Sequence, residues 1–197
     1  MKGTSSAICL CLVMAGTVHA VEKSKGEAVF DVMQARKSVR NFTGAPVSKS
    51  DLNKILRAGM TAPTARNHQP WCFVAVTDRK KLDSLAAGLP SAKMLLKAGA
   101  AIIVCTEPEK AAGKSKEFAV IDATLAGQNI LLAVEALGLG GVWTAVYPDA
   151  NLMAHVRSQL GIPKDVIPLN VIPIGGPTGE DKPKDKYKLE KIHWEKW

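Results

Sequence analysis

The chain has few cysteines and few aromatic residues, and these shortages exclude several classes of protein. Four of its 197 residues are cysteine and 5% are aromatic. Only Cys72 and Cys105 follow the N-terminal segment, and two cysteines are too few for a disulfide framework or a cysteine metal site. Each lies in an apolar, strand-like stretch, where cysteine is usually a small core residue. The net charge is +8, but basic and aromatic residues are not interleaved, which argues against nucleic-acid binding.

Several common chemical motifs are also missing from the sequence. There is no P-loop, and residues 138–141 follow a helical pattern and lack the third glycine of a dinucleotide-binding fingerprint. The histidines after the N-terminal segment have no zinc-binding spacing, and no serine lies in a nucleophile elbow. We therefore assign no catalytic side chain and no metal ligand, and we expect a bound cofactor to supply any difficult chemistry.

The first twenty residues are typical of a secretory signal peptide. Lys2 precedes an apolar run from Ala7 to Val18, which is too short to span a bilayer. Val18-His19-Ala20 has the small residues of a cleavage site. We expect residues 1–20 to be removed and residues 21–197 to form a single domain in the bacterial periplasm or cell envelope, without stable membrane insertion. If the segment is instead a buried helix, the protein is cytoplasmic.

Hydrophobic periodicity predicts helices that alternate with strands, which indicates an α/β or α+β layered fold. The predicted helices are 27–37, 48–60, a helix capped by Asp78, a short helix at 92–97, 117–137 and a helix capped by Asp149. The predicted strands are 71–77, 100–106, 142–147 and 166–174. Pro168 and Pro173 suggest that the last strand is an edge strand or a strand end. The helix at 117–137 is apolar on more than one face, which predicts burial on several sides at a subunit interface.

Three groups of residues suggest a planar cofactor that carries a phosphate. Residues 36–40 place two arginines and a serine at a helix end, and guanidinium groups match phosphate oxygens two at a time. Asn67 and Gln69 form a carboxamide pair in a proline-rich loop. The glycine-bounded segment 141–144 could present backbone N–H groups to a ring. Taken singly, each group is more often structural: a solvated helix end, a turn and a helix C-cap.

In this order along the chain, the three groups resemble motifs of the nitroreductase family of FMN-dependent oxidoreductases. The matching pieces are Arg36-Lys37-Ser38-Val39-Arg40-Asn41-Phe42, the segment 62–71 with its Asn-x-Gln-Pro-Trp motif, the segments 136–143 and 172–175, and Lys184-Asp185-Lys186. The resemblance covers Phe30 to Trp197. It implies an α+β, three-layer fold in which helices flank a central mixed sheet. It also implies an intertwined homodimer with two flavins at the interface.

The resemblance further implies which residues contact FMN. Those at the phosphate would be Arg36, Ser38, Arg40, Lys184 and Lys186, with Lys37 beside them. Asn67 and Gln69 would lie at the ribityl chain and ring, and Pro63 and Thr64 would reach the flavin of the other subunit. The segment near flavin N5 and O4 would be Gly141, Val142, Trp143 and Thr144.

The function that the resemblance implies is an oxidoreductase. Reducing equivalents would pass from NADH or NADPH through flavin N5 to a small nitroaromatic, quinone or enone-like acceptor, in a ping-pong scheme. Two alternatives stay open: a flavin-binding storage or sensor protein with little turnover, and a reductive dehalogenase-like enzyme. The chain is short for the family, so we expect the region that covers the flavin to be reduced to about residues 78–116.

Overall fold

A computed structural model describes residues 24–197, so the predicted signal peptide lies outside the described residues. Helices and strands alternate along the described chain. The helices are α1 (Lys25–Ala35), α2 (Lys49–Met60), α3 (Arg79–Gly88), α4 (Lys116–Ala136) and α5 (Ala150–Leu160). The strands are β1 (Trp71–Val76), β2 (Ala100–Thr106), β3 (Gly140–Gly141), β4 (Thr144–Ala145) and β5 (Ile167–Gly175). The predicted short helix at 92–97 is a 3₁₀ segment, Pro90–Leu96.

Side chains at the predicted N-caps explain where three helices begin. Ser48, Asp78 and Asp149 each accept a hydrogen bond from a backbone N–H in the first turn of α2, α3 and α5, respectively. These bonds satisfy donors that the helix itself leaves unpaired. At its C-terminus α5 ends on Gly161, whose φ of 67° lies in the left-handed region that glycine tolerates best.

The five strands form one sheet in the order β1-β2-β5-β3, and β4 also pairs with β5. The resemblance implied a mixed sheet, whereas all four ladders described in the structure are antiparallel. The single strand predicted at 142–147 is replaced by β3 and β4, with Val142 and Trp143 interrupting the ladder between them. The α+β fold is confirmed.

β5 is a central strand, so its predicted position at an edge is wrong. Every residue of β5 is buried, and the strand pairs with β2 on one side and with β3 and β4 on the other. Pro168 lies at a register shift opposite Cys105, and Pro173 lies opposite the interruption between β3 and β4. Both prolines therefore occupy places where the ladder is irregular, which is where a strand tolerates a missing N–H.

Side-chain alternation along β1, β2 and β5 divides the core into two layers, one on each face of the sheet. On one face, Ile103 and Val171 pack with apolar residues of α3 and α5. On the other face, Ile102 and Ile172 pack with α2 and α4. Since successive residues of a strand point to opposite faces, the unbroken apolar runs in β2 and β5 supply both layers. The predicted three-layer arrangement of helices about a central sheet is confirmed.

Within one chain, the helix α4 is buried along one face, and the predicted burial on several sides at a subunit interface stays a prediction. Small and aliphatic residues from Ala119 to Val134 pack into the core. Phe118, Ile121 and Leu125 are apolar but exposed within one chain. By length and composition alone α4 could cross a membrane, although its packing against the sheet is that of a core helix. Within a single chain these three apolar residues stay 39–53% exposed.

The segment 36–42 is held against the sheet by two buried side chains, Val39 and Phe42. The Val39 N–H donates to the Gly141 carbonyl at an N···O distance of 3.0 Å, and Phe42 forms a β-bridge with Pro177. A Cβ at Gly140 would lie 2.5 Å from Val39 Cγ1. Glycine at this position therefore lets the segment approach the backbone of β3.

We predict that Gly140→Ala destabilises the protein by ~1–3 kcal/mol, since the added methyl overpacks the contact with Val39. Urea unfolding followed by circular dichroism measures the change. Gly26→Ala is the matched control, because no atom lies within 4 Å of a Cβ at Gly26 and alanine favours helix. Equal stability of Gly140→Ala and wild type would show that the close approach does not constrain the segment.

Candidate functional site

The segment that follows α1 presents a row of polar side chains to one side of the sheet. α1 ends because Arg36 leaves the helical region, with φ −56° and ψ 128°. In the extended chain that follows, Val39 is buried while Ser38 and Arg40 are exposed. The predicted helix continued to residue 37. Its earlier end directs Arg36 away from the helix and toward the C-terminal segment.

A cavity of about 540 Å³ lies between this segment and the C-terminal residues 180–186. Its lining is Arg36, Lys37, Ser38, Arg40, Glu180, Asp181, Lys182, Pro183, Lys184 and Lys186. We call it the basic cavity. All five residues predicted at the phosphate line it, as does Lys37, although the late lysines are far from the arginines in sequence. The structure therefore brings together the group that the sequence predicted at a phosphate.

The charge of the basic cavity is strongly positive, even when its two acidic residues are counted. Six of the lining residues are Lys or Arg, and two are acidic. The Asp181 carboxylate is engaged by the backbone, since its Oδ2 accepts from the N–H groups of Arg40 and Asn41 at 3.0 and 3.1 Å. This contact fixes the C-terminal segment beside Arg40. Arg36, Lys184 and Lys186 also contribute positive charge to the lining of the cavity.

Lys37 differs from the other predicted phosphate residues. Its ammonium group forms an ion pair with Glu135 of α4, with an N···O distance of 3.0 Å and both side chains mostly buried. The structure thus gives Lys37 a role in joining the segment to α4, and its contact with a cofactor stays a prediction. The sequence could not show this pairing because the two residues are 98 positions apart.

Two further cavities adjoin the basic cavity, and Arg36 lines all three. One, of about 630 Å³, lies between α1, Gln128 and the C-terminal segment. The other, of about 310 Å³, is lined by Arg36, Ser38, Thr124, Gln128, Leu131 and Trp143. We call the latter the tryptophan cavity. The sequence did not lead us to predict Thr124 and Gln128 as site residues. Their i, i+4 spacing places two polar side chains on one face of an apolar helix, and this pattern could have indicated a site there.

Within the predicted segment 141–144, Trp143 lines the tryptophan cavity. The side chains of Val142 and Thr144 are buried in the core. A Cβ at Gly127 would lie 2.5 Å from Trp143 Cζ3, so glycine in the middle of α4 makes room for the indole ring. Trp143 is thereby held against α4 at the wall of the tryptophan cavity.

The loop 62–70 adopts a strained conformation that presents its carboxamides to solvent. Arg66, Asn67 and Gln69 have φ values of 52°, 58° and 52°, which cost non-glycine residues ~1–3 kcal/mol each. Gln69 Nε2 donates to Asn67 Oδ1 at 2.8 Å, and both residues are exposed. Backbone strain of this kind is concentrated at functional sites, which supports a binding role for the loop.

Asp122 on α4 is the buried anchor of this loop. Its side chain is 2% exposed, and Oδ1 accepts a hydrogen bond from the Ala65 N–H at 3.0 Å. The Thr64 hydroxyl accepts from the Gln69 N–H at 3.1 Å, and His68 Nδ1 lies 3.1 Å from the Lys110 carbonyl oxygen. Asp122 was also missed in the sequence analysis, which considered only the apolar positions of α4.

The loop and the basic cavity are separate within one chain. None of Pro63, Thr64, Asn67 and Gln69 lines the basic cavity or the two cavities that adjoin it. The loop lies instead toward the N-terminal end of α4, where Ala65 and Arg66 line a small cavity with Phe118. A single chain therefore carries two predicted binding elements that do not meet.

Comparison with known proteins agrees with the α+β fold. The model of the nitroreductase family matches residues 33–90 and 84–176. A protein of Archaeoglobus fulgidus assigned as an NADH dehydrogenase/NAD(P)H nitroreductase is 37% identical over 174 residues, which cover 87% of this chain and 99% of that protein.

Solved structures show the same relationship. A Bacteroides thetaiotaomicron protein with the same assignment is 46% identical and has a TM-score of 0.81. The match covers 86% of this chain and 98% of that one. An FMN-dependent nitroreductase from Clostridium difficile is 26% identical, with a TM-score of 0.78 and coverage of 85% of this chain and 99% of that one. This chain belongs to the nitroreductase family.

We predict that Asp122→Ala loosens the loop 62–70, because the Ala65 N–H loses its acceptor and the strained residues lose their anchor. The stability cost should be ~1–3 kcal/mol. Hydrogen exchange measured by mass spectrometry should show faster exchange in the peptide that covers the loop. Asp122→Asn keeps the acceptor oxygen and is the control. Unchanged exchange in Asp122→Ala would show that other contacts hold the loop.

Proposed function

We propose that this chain is an NAD(P)H-dependent flavin oxidoreductase that binds the FMN phosphate in the basic cavity. The observation that carries the proposal is the meeting of Arg36, Ser38, Arg40, Lys184 and Lys186 in that cavity. A phosphate has up to two negative charges, and charge-assisted hydrogen bonds are about twice as strong as neutral ones. Two arginines and two lysines are sufficient to neutralise it.

The adjoining tryptophan cavity fits the remainder of such a ligand. It shares Arg36 and Ser38 with the basic cavity and extends to Leu131 and Trp143. Pockets for small ligands are mostly apolar, with a few polar groups that fix orientation. Here Gln128 and Thr124 supply polar groups beside an indole ring and a leucine. The donor set of these adjoining cavities thus fits FMN.

When bound, FMN supplies the hydride- and electron-transfer chemistry that connects NADH or NADPH with a nitroaromatic, quinone or enone-like acceptor in two half-reactions. The residues of this chain bind and orient it. Arg36 and Arg40 hold the anionic end, Trp143 forms one wall, and the positive charge of the basic cavity favours ligands of negative charge. No side chain is needed as an obligatory general acid, because solvent supplies the proton.

We further propose that the active form is a homodimer, as the family resemblance implies. The exposed residues Phe118, Ile121 and Leu125 follow helical spacing along α4. The same stripe continues to Leu132 and Ala136 in an apolar groove of about 400 Å³ between α1, α2 and α4. Extended apolar surface on a folded chain usually marks an interface.

A second copy of the chain would also complete the site. The carboxamide loop and the basic cavity do not meet within one chain. The helix α4 anchors the loop through Asp122 and lines the adjoining tryptophan cavity with Thr124 and Gln128. If two chains pack through α4, the loop of one chain can reach the cavities of the other. The exposed strained loop and the unpartnered apolar stripe both support this arrangement.

Our first test compares FMN with riboflavin, which has the same ring and ribityl chain but no phosphate. We expect Arg40→Ala to weaken FMN binding by ~10–100-fold, since one or two charge-assisted hydrogen bonds are lost. Riboflavin affinity should change little. Isothermal titration of apoprotein measures both. Lys164→Ala is the control, because it removes one positive charge from an exposed site outside the three cavities.

Equal losses of affinity for FMN and riboflavin would show that Arg40 does not contact the phosphate.

The enzymatic assignment is tested by anaerobic mixing of the flavin-loaded protein with NADH or NADPH, followed by a screen of electron acceptors. Bleaching of the flavin absorbance within seconds supports an oxidoreductase. No bleaching with either donor would favour a storage or sensor protein.

A second test concerns the dimer. Ile121→Glu should give a monomer that binds FMN weakly, because a charge is placed in the apolar stripe of α4. Sedimentation velocity measures the oligomeric state. Leu96→Glu is the matched control, since Leu96 is 52% exposed and Ile121 is 53% exposed. A dimer that survives Ile121→Glu would place the interface elsewhere.

A further inference from the structure

Cys72 and Cys105 are directly opposite one another in the ladder between β1 and β2. The sequence suggested two unrelated core residues, because it gave no register for the two strands. Both side chains belong to the same face of the sheet, where they pack with the cluster of α3 and α5. Both cysteines are free thiols in the structure. The fold therefore forms a dithiol pair from residues that are distant in sequence.

The expected Cα separation of this pair lies in the range that a disulfide spans. The Glu107 N–H donates to the Pro70 carbonyl at 2.9 Å, and alternate pairs along an antiparallel ladder are hydrogen-bonded. Cys72 and Cys105 occupy the next hydrogen-bonded pair, for which the Cα atoms lie ~5.5 Å apart. Disulfides form across Cα distances of about 4.4–6.8 Å. The two residues can thus be linked without a change of strand register.

The two thiols differ in exposure and in chemical character. Cys72 is half-buried on β1, which is an edge strand, whereas Cys105 is 1% exposed. The adjacent Cys105 thiol lowers the pKa of Cys72, and the nearby Lys110 also lowers it, against the opposing effects of burial and Glu107. The neighbouring Cys72 side chain and burial both raise the pKa of Cys105. Cys72 is therefore the better nucleophile.

We propose that Cys72 and Cys105 form a reversible disulfide when the protein meets a hydroperoxide, with Cys72 as the reacting residue and Cys105 as the resolving residue. The crosslink joins β1, which follows directly after the loop 62–70, to the central strand β2. This modification site is independent of the flavin proposal, because neither cysteine lines the basic cavity or the tryptophan cavity.

The reaction has two steps. The Cys72 thiolate attacks one oxygen of hydrogen peroxide, the O–O bond breaks, and the other oxygen leaves as hydroxide, which becomes water after protonation. Cys72 is then a sulfenic acid. The Cys105 sulfur attacks the Cys72 sulfur, the S–O bond breaks, and a second water leaves with the Cys105 proton. Two thiols and one peroxide thus give one disulfide and two waters.

Peptide mapping of the flavin-loaded full chain tests the proposal. Trypsin places the cysteines on separate peptides, 67–79 and 98–110. After treatment with hydrogen peroxide, we expect a linked peptide whose mass is lower than the sum of the two by two hydrogens. Dithiothreitol should restore the separate peptides. If both peptides stay unlinked while Cys72 is oxidised to the sulfinic acid, or if both thiols stay unmodified, the proposal is overturned.

Two variants assign the roles of the two sulfurs. In Cys105→Ala, Cys72 should accumulate as a sulfenic acid that a dimedone probe labels. In Cys72→Ala, Cys105 should stay a thiol, because it is buried. Labelling of Cys105 in Cys72→Ala would contradict the assignment of Cys72 as the reacting residue. The wild-type peptide map needs neither variant, so the proposal can be tested even if a variant does not fold.

Discussion

The contact of Val39 with the backbone of β3 fixes the position of the basic segment. Gly140 leaves room for the valine side chain, and the Val39 N–H is satisfied by the Gly141 carbonyl. With Val39 buried, the alternation of an extended chain leaves Ser38 and Arg40 exposed. Asp181 then binds the Arg40 and Asn41 N–H groups and brings the late lysines to the same place. A small apolar contact thus organises a highly charged cavity.

Buried polar contacts offset two destabilising features of the site, which are clustered positive charge and a strained loop. Several like charges lie close together around the basic cavity, and three residues in the loop 62–70 hold positive φ values. Lys37 is neutralised by Glu135, and the loop is tied to Asp122. Both acidic residues lie on α4, which is the longest helix described and packs on the sheet. One helix therefore holds both the basic segment and the loop.

The sequence was sufficient for features that depend on local pattern. Periodicity and capping residues located all five helices and the strands β1, β2 and β5, and motif order identified the family. Features that depend on distant partners could not be predicted. β5 can be central because the neighbouring strands are irregular opposite its two prolines, and those strands are distant in sequence. The Lys37–Glu135 ion pair joins residues 98 positions apart. The pairing of Cys72 with Cys105 depends on the register between β1 and β2. Asp122, Thr124 and Gln128 were overlooked because only apolar positions of α4 were considered.

The division of the site within one chain follows from the geometry of α4. Asp122, which holds the loop, and Gln128, which lines the tryptophan cavity, are six positions apart and so ~9 Å apart along the helix axis. The buried residues of α4 hold one face to the core, and Phe118, Ile121 and Leu125 form an unpartnered apolar stripe. Packing of this stripe on a copy of itself would bury apolar surface and bring each loop toward the other chain's cavities. A single interface would thus contribute both stability and a complete ligand site.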